Sequence, residues 1–358
     1  TMPERLTKAT DHIQEQIALV KQLEEKGFTY VISDGVYFDT AKFEDYGKLS
    51  TLDKKDEGVA RIEENSAKRN PRDFALWKFS YPHGRTFDPA QDDKTQKRQM
   101  EWKSPWGKGF PGWHIECSAM SMKYLGETFD VHTGGIDHIP VHHTNEIAQS
   151  EAATGKQFVD YWVHTAFMLV AGQKMSKSLG NIYKIYDLEK QGYEPLALRY
   201  LYMQTHYRQE MNFTFSALEA SENALKNLFE EVMKFDEPEG RLAEYEERFL
   251  EALNEDLNMP KALAVVWEMV KSNKPSGAKA NSLFKMDEVL GFNIREFTEK
   301  IKREEGIIPG HVRRLVEERQ HLRKQKQFNA ADQLRAKIEK LGYEIEDTKK
   351  GIKVKKKI

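Results

Sequence analysis

Apolar residues recur at spacings of three and four along Ile13, Ile17, Val20 and Leu23, which predicts a helix over 3–26 that Gly27 ends. Residues 28–39, Phe-Thr-Tyr-Val-Ile-Ser-Asp-Gly-Val-Tyr-Phe-Asp, place two aromatic and β-branched runs either side of Asp34-Gly35, the signal of a hairpin with a type I′ turn. Residues 40–75 are polar and irregular, as an insertion would be, and 80–100 read as a polar loop. Between them Asp73-Phe-Ala-Leu-Trp-Lys78 is an apolar island. The stretch 102–113 is rich in Gly, Pro and Trp; it suits the wall of a pocket and an ordinary surface loop equally well. A short helix over 115–125, a strand over 129–132 closing in a glycine turn at Gly134-Gly-Ile-Asp137, a helix over 142–154 and a strand within 161–170 follow. From 195 to 301 the pattern is helical throughout, clearest over 219–233, 241–253 and 260–271, with Pro260 at a helix start. Two more helices, 311–326 and 330–341, precede a strand-like edge from Gly342. There is no internal repeat. The sum is an α/β region, then an all-helical region, then a small mixed one.

Composition changes this picture little. The chain has 358 residues, room for two or three domains, with 39% hydrophobic and 31% charged residues as in globular proteins. A single cysteine excludes an internal disulfide framework and suits a reducing compartment. No apolar run approaches the roughly 18 residues of a membrane helix, and the N-terminus carries no apolar signal core. Charge matters more. Net charge is −2, yet residues 301–358 hold 17 Lys/Arg against 9 Asp/Glu, so a basic tail of +8 follows a body of −10. Such a tail points to an anionic partner, nucleic acid first, although a run like Lys353–Lys357 is also an ordinary solvated end.

Candidate chemistry gathers in 111–146. This stretch holds Cys117, the lone cysteine, and His142 and Glu146, four apart and so on one face of a helix. Thiolate, imidazole and carboxylate are the three ligand types zinc accepts. A lone cysteine is also a common small buried apolar side chain, and the spacing is not a short CxxC pattern, so these residues by themselves leave zinc open. The strand end followed by glycines and a helix is where α/β folds place ligands. Farther on, Gly172-Gln-Lys174-Met-Ser-Lys177-Ser-Leu-Gly180-Asn sets two lysines and two serines among glycines. Such a loop can fold over polyphosphate, lysines neutralising charge while hydroxyls and backbone N–H groups donate hydrogen bonds. It is not a Walker A loop.

Lys174-Met-Ser-Lys-Ser178 resembles the second signature loop of class I aminoacyl-tRNA synthetases. Pro111-Gly-Trp-His-Ile-Glu-Cys-Ser-Ala-Met120, Gly134-Gly-Ile-Asp137, His142-His-Thr-Asn-Glu-Ile-Ala-Gln-Ser-Glu151 and Asn70-Pro-Arg-Asp-Phe-Ala-Leu-Trp77 look like one member, the cysteinyl-tRNA synthetases, and Asn329-Ala-Ala-Asp332 and Glu346-Asp-Thr348 match that family's terminal tRNA-contacting domain. The resemblance covers essentially the whole chain. It implies an enzyme that activates L-cysteine with ATP and Mg2+ through a cysteinyl-adenylate and transfers it to cysteine tRNA, working as a cytoplasmic monomer. It implies one zinc ion, with Cys117, His142 and Glu146 on three of its ligand positions and the fourth outside this chain. Trp113 matches the position that packs on the bound amino acid, Asp137 faces substrate in a place to hold its ammonium group, and Lys177, with Lys174 beside it, matches the ATP-contacting lysine. The implied architecture is a Rossmann-type catalytic domain over 1–205, with an insertion over 27–110 and the lysine loop at 172–181. A helical bundle over 206–303 and a basic anticodon-recognition domain over 304–358 follow, where Arg313, Arg314, Arg323 and Lys324 would meet phosphates.

The chain departs from the family pattern in three ways. The strand carrying a further zinc cysteine and the His-Ile-Gly-His signature are not in it, which suggests N-terminal truncation and loss of activation activity by this chain alone. Position 144 is Thr where Glu is usual, with only a tuning effect expected. A partial Rossmann sheet should expose apolar edges. Two rival readings share much of the pattern: the cysteine ligase of mycothiol synthesis, against which the basic terminal domain argues, and a non-catalytic tRNA-binding remnant.

Overall fold

A computed structural model describes residues 2–50, 66–81, 100–305, 310–348 and 351–356. The chain divides into two compact units: residues 1–167 with Tyr207–Glu210, and Met168–His206 with Met211–Ile358.

In the first unit, helix α1 (Ile13–Glu25) starts ten residues later than the expected 3–26, with only a 3-10 turn at Ala9–Asp11 before it, and buries Ile13, Ile17, Val20 and Leu23, the stripe that the three-four spacing predicts. The C-terminal carbonyl of a later helix is reached from it by Gln22, whose Nε2 donates to Ala153 O at 2.9 Å, and by Lys26. Strands β1 (Thr29–Ile32) and β2 (Gly35–Phe38) form the expected hairpin, but Ile32 pairs with Gly35, so the two-residue loop is Ser33-Asp34. Neither loop residue has positive φ, so the turn is not type I′. Gly35 is needed for a different reason: a Cβ there would stand 2.4 Å from Trp77 O of the next strand. That strand is β3 (Phe74–Phe79), and Trp102–Ser104 (β4) and Gly107–Pro111 (β5) complete an antiparallel sheet of order β1-β2-β3-β5-β4. The Gly/Pro/Trp-rich stretch is thus a hairpin. Most of the residues expected as an irregular insertion and polar loop, 51–65 and 82–99, lie outside the described residues.

The sheet supports two helices. Gly112 donates its N–H to Leu76 O at 2.9 Å, and α2 (Trp113–Leu125) springs from it. Strand β6 (Phe129–Gly135) is longer than the spacing suggested. Gly134 and Gly135 belong to it instead of forming a glycine turn, and neither has positive φ. A 3-10 turn (Ile136–His138) and a π turn (Ile139–His143) lead into α3 (Thr144–Thr154), so the helix predicted from 142 has a wider first turn. Strand β7 (Val159–Thr165) lies parallel to β6, with Val131 opposite Tyr161 and His132 opposite Trp162. Ile17, Leu23, Leu76, Trp77, Ile115 and Ala148 share one core, each buried large side chain contributing about 1.5–3 kcal/mol. Val131 and Tyr161 stay 50% and 70% exposed. Parallel strands are ordinarily covered on both faces.

The single strand expected within 161–170 is in fact two. β8 (Met168–Val170) belongs to the second unit, where it pairs antiparallel with β9 (Gln173–Lys174) and parallel with β10 (Met211–Phe213). β10 also interrupts the region read as wholly helical. Around this sheet stand α4 (Ile185–Lys190) and α5 (Pro195–Met203). A bundle of α6 (Phe215–Val232), α7 (Ala243–Asn254), α8 (Met259–Lys271), α9 (Ser276–Leu290) and α10 (Ile294–Glu305) follows. Asn258 caps α8, its side chain accepting from Lys261 N, with Pro260 in the first turn as the sequence suggests. Helices α11 (Gly310–Lys324) and α12 (Phe328–Lys340) then pack with a hairpin of β11 (Tyr343–Thr348) and β12 (Gly351–Lys356). No helix among the described residues is long and apolar enough to cross a membrane.

Candidate functional site

Three elements of the first unit converge on Glu146. Helix α2 is fixed at its start, since a Cβ on Gly112 would lie 1.9 Å from Ala75 O. It is locked to α3 by a buried polar seam. Gln149 Nε2 donates to His114 O and to Ser118 Oγ, each at 2.6 Å, and Ser150 Oγ donates to Ser118 Oγ at 2.9 Å. The seam sets Cys117 of α2 against Glu146 of α3. The π turn directs His142 inward as well, and Thr144 satisfies its carbonyl by donating Oγ1–H to Ile139 O at 2.7 Å; single π turns are frequent at functional sites.

One donor atom each from Cys117, His142 and Glu146 lies within 4.8 Å of the other two. Glu146 is fully buried. Its Oε1 is 2.7 Å from His142 Nε2 and its Oε2 is 3.0 Å from His132 Nε2, yet neither oxygen makes a well-directed hydrogen bond. The two imidazoles beside its oxygens offset much of the cost of burying this carboxylate, though neither is well aimed at a lone pair. Burial works to raise its pKa, but the imidazoles of His132 and His142 outweigh it and hold the carboxyl at about 2. Burial first, and then the Glu146 carboxylate, push the Cys117 thiol up to about 12. A thiol so placed is protonated on its own and turns into a thiolate only against a cation.

His142 is held from behind, its Nδ1 lying 2.9 Å from His114 Nδ1. Trp113 covers it from the open side, ring centroids 4.3 Å apart, and is itself 54% exposed. Asp137 is exposed in the 3-10 turn, its carboxylate folded over Gly135, where a Cβ would stand 2.5 Å from Oδ1. Trp113, Cys117, His142 and Glu146 are therefore brought together, with Asp137 on the turn that leads into them. Lys174 and Lys177 lie in the second unit, Lys174 at the end of β9 and Lys177 in the loop after it.

That loop follows β9. Both lysines are exposed, while Met175 packs into the core beside Val170 and Phe213. Asn181 ties the loop across its base, accepting from Ser176 N at 2.8 Å and donating to Lys174 O at 3.1 Å. Ala171 with φ 49° and Gly172 with φ 76° turn the chain before it.

The site also contains residues that spacing alone did not single out: His114, His132, His138, His143 and His164. With His142 they form a cluster of six imidazoles, successive ring centroids about 5 Å apart. A signal existed, since five of the chain's 11 histidines fall between 114 and 143. Lone imidazoles carry no periodic pattern, so only the fold shows that they meet.

Comparison with known proteins bears on the whole chain. Residues 1–223 match the family model described as the tRNA synthetases class I (C) catalytic domain, 248–292 the DALR domain, and 307–354 the cysteinyl-tRNA ligase anticodon binding domain. A protein named cysteine–tRNA ligase 1 from Burkholderia lata is 45% identical over 96% of this chain and 70% of its own length. Cysteine–tRNA ligases from Thermococcus gammatolerans and Treponema denticola are 41% and 37% identical over 96% of this chain, and 75% and 74% of theirs. With a catalytic-domain model over more than half its length and relatives this similar, the chain belongs to the cysteine–tRNA ligase family of class I aminoacyl-tRNA synthetases.

Proposed function

We propose that this chain serves the ATP-dependent ligation of L-cysteine to cysteine tRNA, and that Cys117, His142 and Glu146 hold a zinc ion that selects the amino acid. The observation that carries the zinc reading is the buried Glu146 carboxylate, both oxygens without a well-directed hydrogen bond, set against a thiol and an imidazole nitrogen. These residues fit zinc: the donor set is sulfur, nitrogen and oxygen, and the three donor atoms converge. Zinc would supply a soft Lewis acid that holds a thiolate far better than a hydroxyl. Cysteine and serine differ by one atom, which apolar and hydrogen-bonding contacts separate poorly, so selection at binding would make editing unnecessary.

The protein's own residues do the rest. His142 would hold the ion through Nε2, and its Nδ1, 2.9 Å from His114 Nδ1, would then carry the proton and donate it to His114, fixing ring and tautomer. Burial, and after it His142, hold the His114 pKa down to about 3, so His114 remains a neutral acceptor. Trp113 packs on the substrate, and the Asp137 carboxylate receives its ammonium group. The substrate carboxylate attacks the α-phosphorus of ATP, pyrophosphate departs, and a ribose hydroxyl of the tRNA then displaces AMP from the cysteinyl-adenylate. No protein nucleophile is needed. Lys174 and Lys177, with Mg2+, stabilise charge on the phosphates. In this reading 1–205 is the catalytic domain, 206–303 a tRNA-binding bundle and 304–358 the anticodon-reading part of a monomer.

The test is ligand binding to the purified, zinc-loaded chain by calorimetry, cysteine against serine. Cysteine should bind at least about 100-fold more tightly, since one soft-ligand contact of about 3 kcal/mol is at stake. Chelation or Cys117→Ser should abolish the difference. Equal affinities with zinc bound would sink the zinc-selection reading.

A further inference from the structure

Helix α3 is enclosed on every side. Nine of its eleven residues are buried, and five of those, Thr144, Asn145, Glu146, Gln149 and Ser150, are polar. A helix buried all round is ordinarily apolar, and every buried polar side chain needs a partner. The polar side chains of α3 therefore constrain how the helix is rotated. Ser118 of α2 holds Gln149 and Ser150, and Ile139 O holds Thr144. The partner of Asn145 comes from far away in the chain: the Tyr46 hydroxyl donates to Asn145 Oδ1 at 2.6 Å. Tyr46 follows a 3-10 turn (Thr40–Lys42) in a segment shaped by its own backbone. Tyr46 N–H donates to Phe43 O at 3.1 Å and Lys48 N–H to Asp45 O at 3.0 Å, with Gly47 at φ 89° between them. Phe43 and Tyr46 pack on the core that contains Ile115 of α2 and Ala148 of α3, and Lys48 pairs with Glu151. The segment thus runs along α3, meeting Asn145 in its first turn and Glu151 toward its end.

We propose that Tyr46 is a positioning residue of the amino-acid site: its hydroxyl, through Asn145, fixes the rotation of α3 and with it the approach of Glu146 to the ion held with Cys117 and His142. The inference rests on the zinc reading above. Asn145 adjoins Glu146, and successive helical side chains leave the axis about 100° apart, so any rotation that breaks the Tyr46 contact also swings Glu146. The first turn of α3 follows directly on the π turn, where the regular hydrogen-bond ladder is interrupted. An outside anchor at this point therefore matters more than it would in mid-helix. Metal–ligand distances tolerate a change of only about 0.2 Å, so a small rotation is enough to weaken the site. The simpler alternative is that Tyr46 merely fastens its own segment to the core, as Lys48 does at Glu151.

Tyr46→Phe separates these accounts, because it removes one oxygen and keeps the ring in the core. The metal-stripped chain is loaded with Co2+, whose visible absorption bands report ligand geometry, and zinc affinity is measured by competition with a chelating dye. Tyr46→Phe should alter the cobalt bands and lower zinc affinity about 10-fold, the low end of the loss seen when a ligand's supporting contact is removed. Asn145→Ala should do the same. The double variant should be no worse than either alone, since both remove one contact. Lys48→Ala, which breaks the other anchor of the same segment, should leave bands and affinity unchanged. Circular dichroism checks that each variant folds, and Asn145→Ala carries the test if Tyr46→Phe does not. Unchanged bands and affinity in Tyr46→Phe overturn the proposal and leave the zinc reading standing. An equal change in Lys48→Ala also overturns it, by showing a general loosening, and so do additive losses in the double variant. Zinc affinity of the unaltered chain that is indifferent to Cys117→Ser overturns the zinc reading and this proposal with it.

Discussion

His114 and His143 are kept neutral by the fold. Burial first, then nearby imidazoles, bring the His114 pKa down to about 3, and burial first brings His143 to about 3 despite the Glu146 carboxylate working the other way. In the unfolded chain each takes up a proton near pH 6.5. The unfolded state therefore binds more protons between about pH 6.5 and 3, so stability is full above that window and is lost as pH falls through it. The metal-free chain should show a Tm that declines steadily from pH 7 to pH 4. His114→Phe, which keeps a ring beside Phe74, should flatten that decline. The same variant should lower zinc affinity about 10–100-fold, because His142 loses the group that fixes its tautomer. A Tm slope unchanged by the substitution would show that another group governs the acid response. Residues of this kind mark the limit of reading by sequence. Cys117, His142 and Glu146 were visible because thiol, imidazole and carboxylate are scarce or regularly spaced. His114 and His143 work through rings brought together from separate elements, and nothing local announces that. The two glycines of β6 show the same limit: both were legible as special, but as a turn, whereas they are small because His143, His138 and Asp137 press against them.

Elements defined by burial on one side were legible, and those defined by their partners were less so. The stripe of α1 gave its packed face and its end, because the three-four repeat is a direct record of the face that packs, whereas residues 3–12 carry no such repeat and are not α-helical. Leu23 is fully buried in that face, and Leu23→Ala should cost about 2–5 kcal/mol in denaturant unfolding. A loss under 1 kcal/mol would mean that the core closes around the gap. By contrast β8 and β9 are three and two residues long and β10 is three, too short for alternation to register, so the strand read over 161–170 ran through a junction between two units. The same dependence on partners holds for the terminal hairpin. Arg319 is fully buried and forms two hydrogen bonds to Asp347 of β11, at 3.0 and 2.8 Å, while Arg323 adds a third contact at 3.0 Å. These charges hold Asp347 below the usual carboxylate range, the Arg319 hydrogen bonds first. Arg319→Ala should destabilise the α11–hairpin packing by about 2 kcal/mol. This is less than the 3–5 kcal/mol of a wholly buried pair, because Asp347 remains partly solvated. Hydrogen exchange at the β11–β12 amides reads this directly, and unaltered protection would place the hairpin's anchor in its apolar contacts instead.

At the scale of the molecule the strongest feature is the division of charge, a +8 terminal region after a body of −10. If that region meets cysteine tRNA through phosphates, affinity must fall with salt, since each neutralised phosphate releases counterions. The structure separates the basic residues into two kinds. Arg319 and Arg323 are engaged with Asp347, so part of their charge serves the fold. Arg314 and Lys324 of α11 are exposed, and the side chain of Arg313, also expected to meet phosphate, lies outside the described residues. Substituting Arg314 and Lys324 together by Ala should weaken binding of cysteine tRNA and of an unrelated tRNA to a similar extent. It should also reduce the slope of log affinity against log salt by about 1 for each residue that touches a phosphate. Arg323→Ala should change that slope less while lowering the stability of the hairpin, and the comparison between the two variants guards against mistaking unfolding for lost contacts. Selectivity for cysteine tRNA should persist in both, because phosphate contacts position a nucleic acid and base contacts distinguish it. Filter binding across a salt series checks all three statements. A slope indifferent to Arg314 and Lys324 would move the tRNA-binding face off α11.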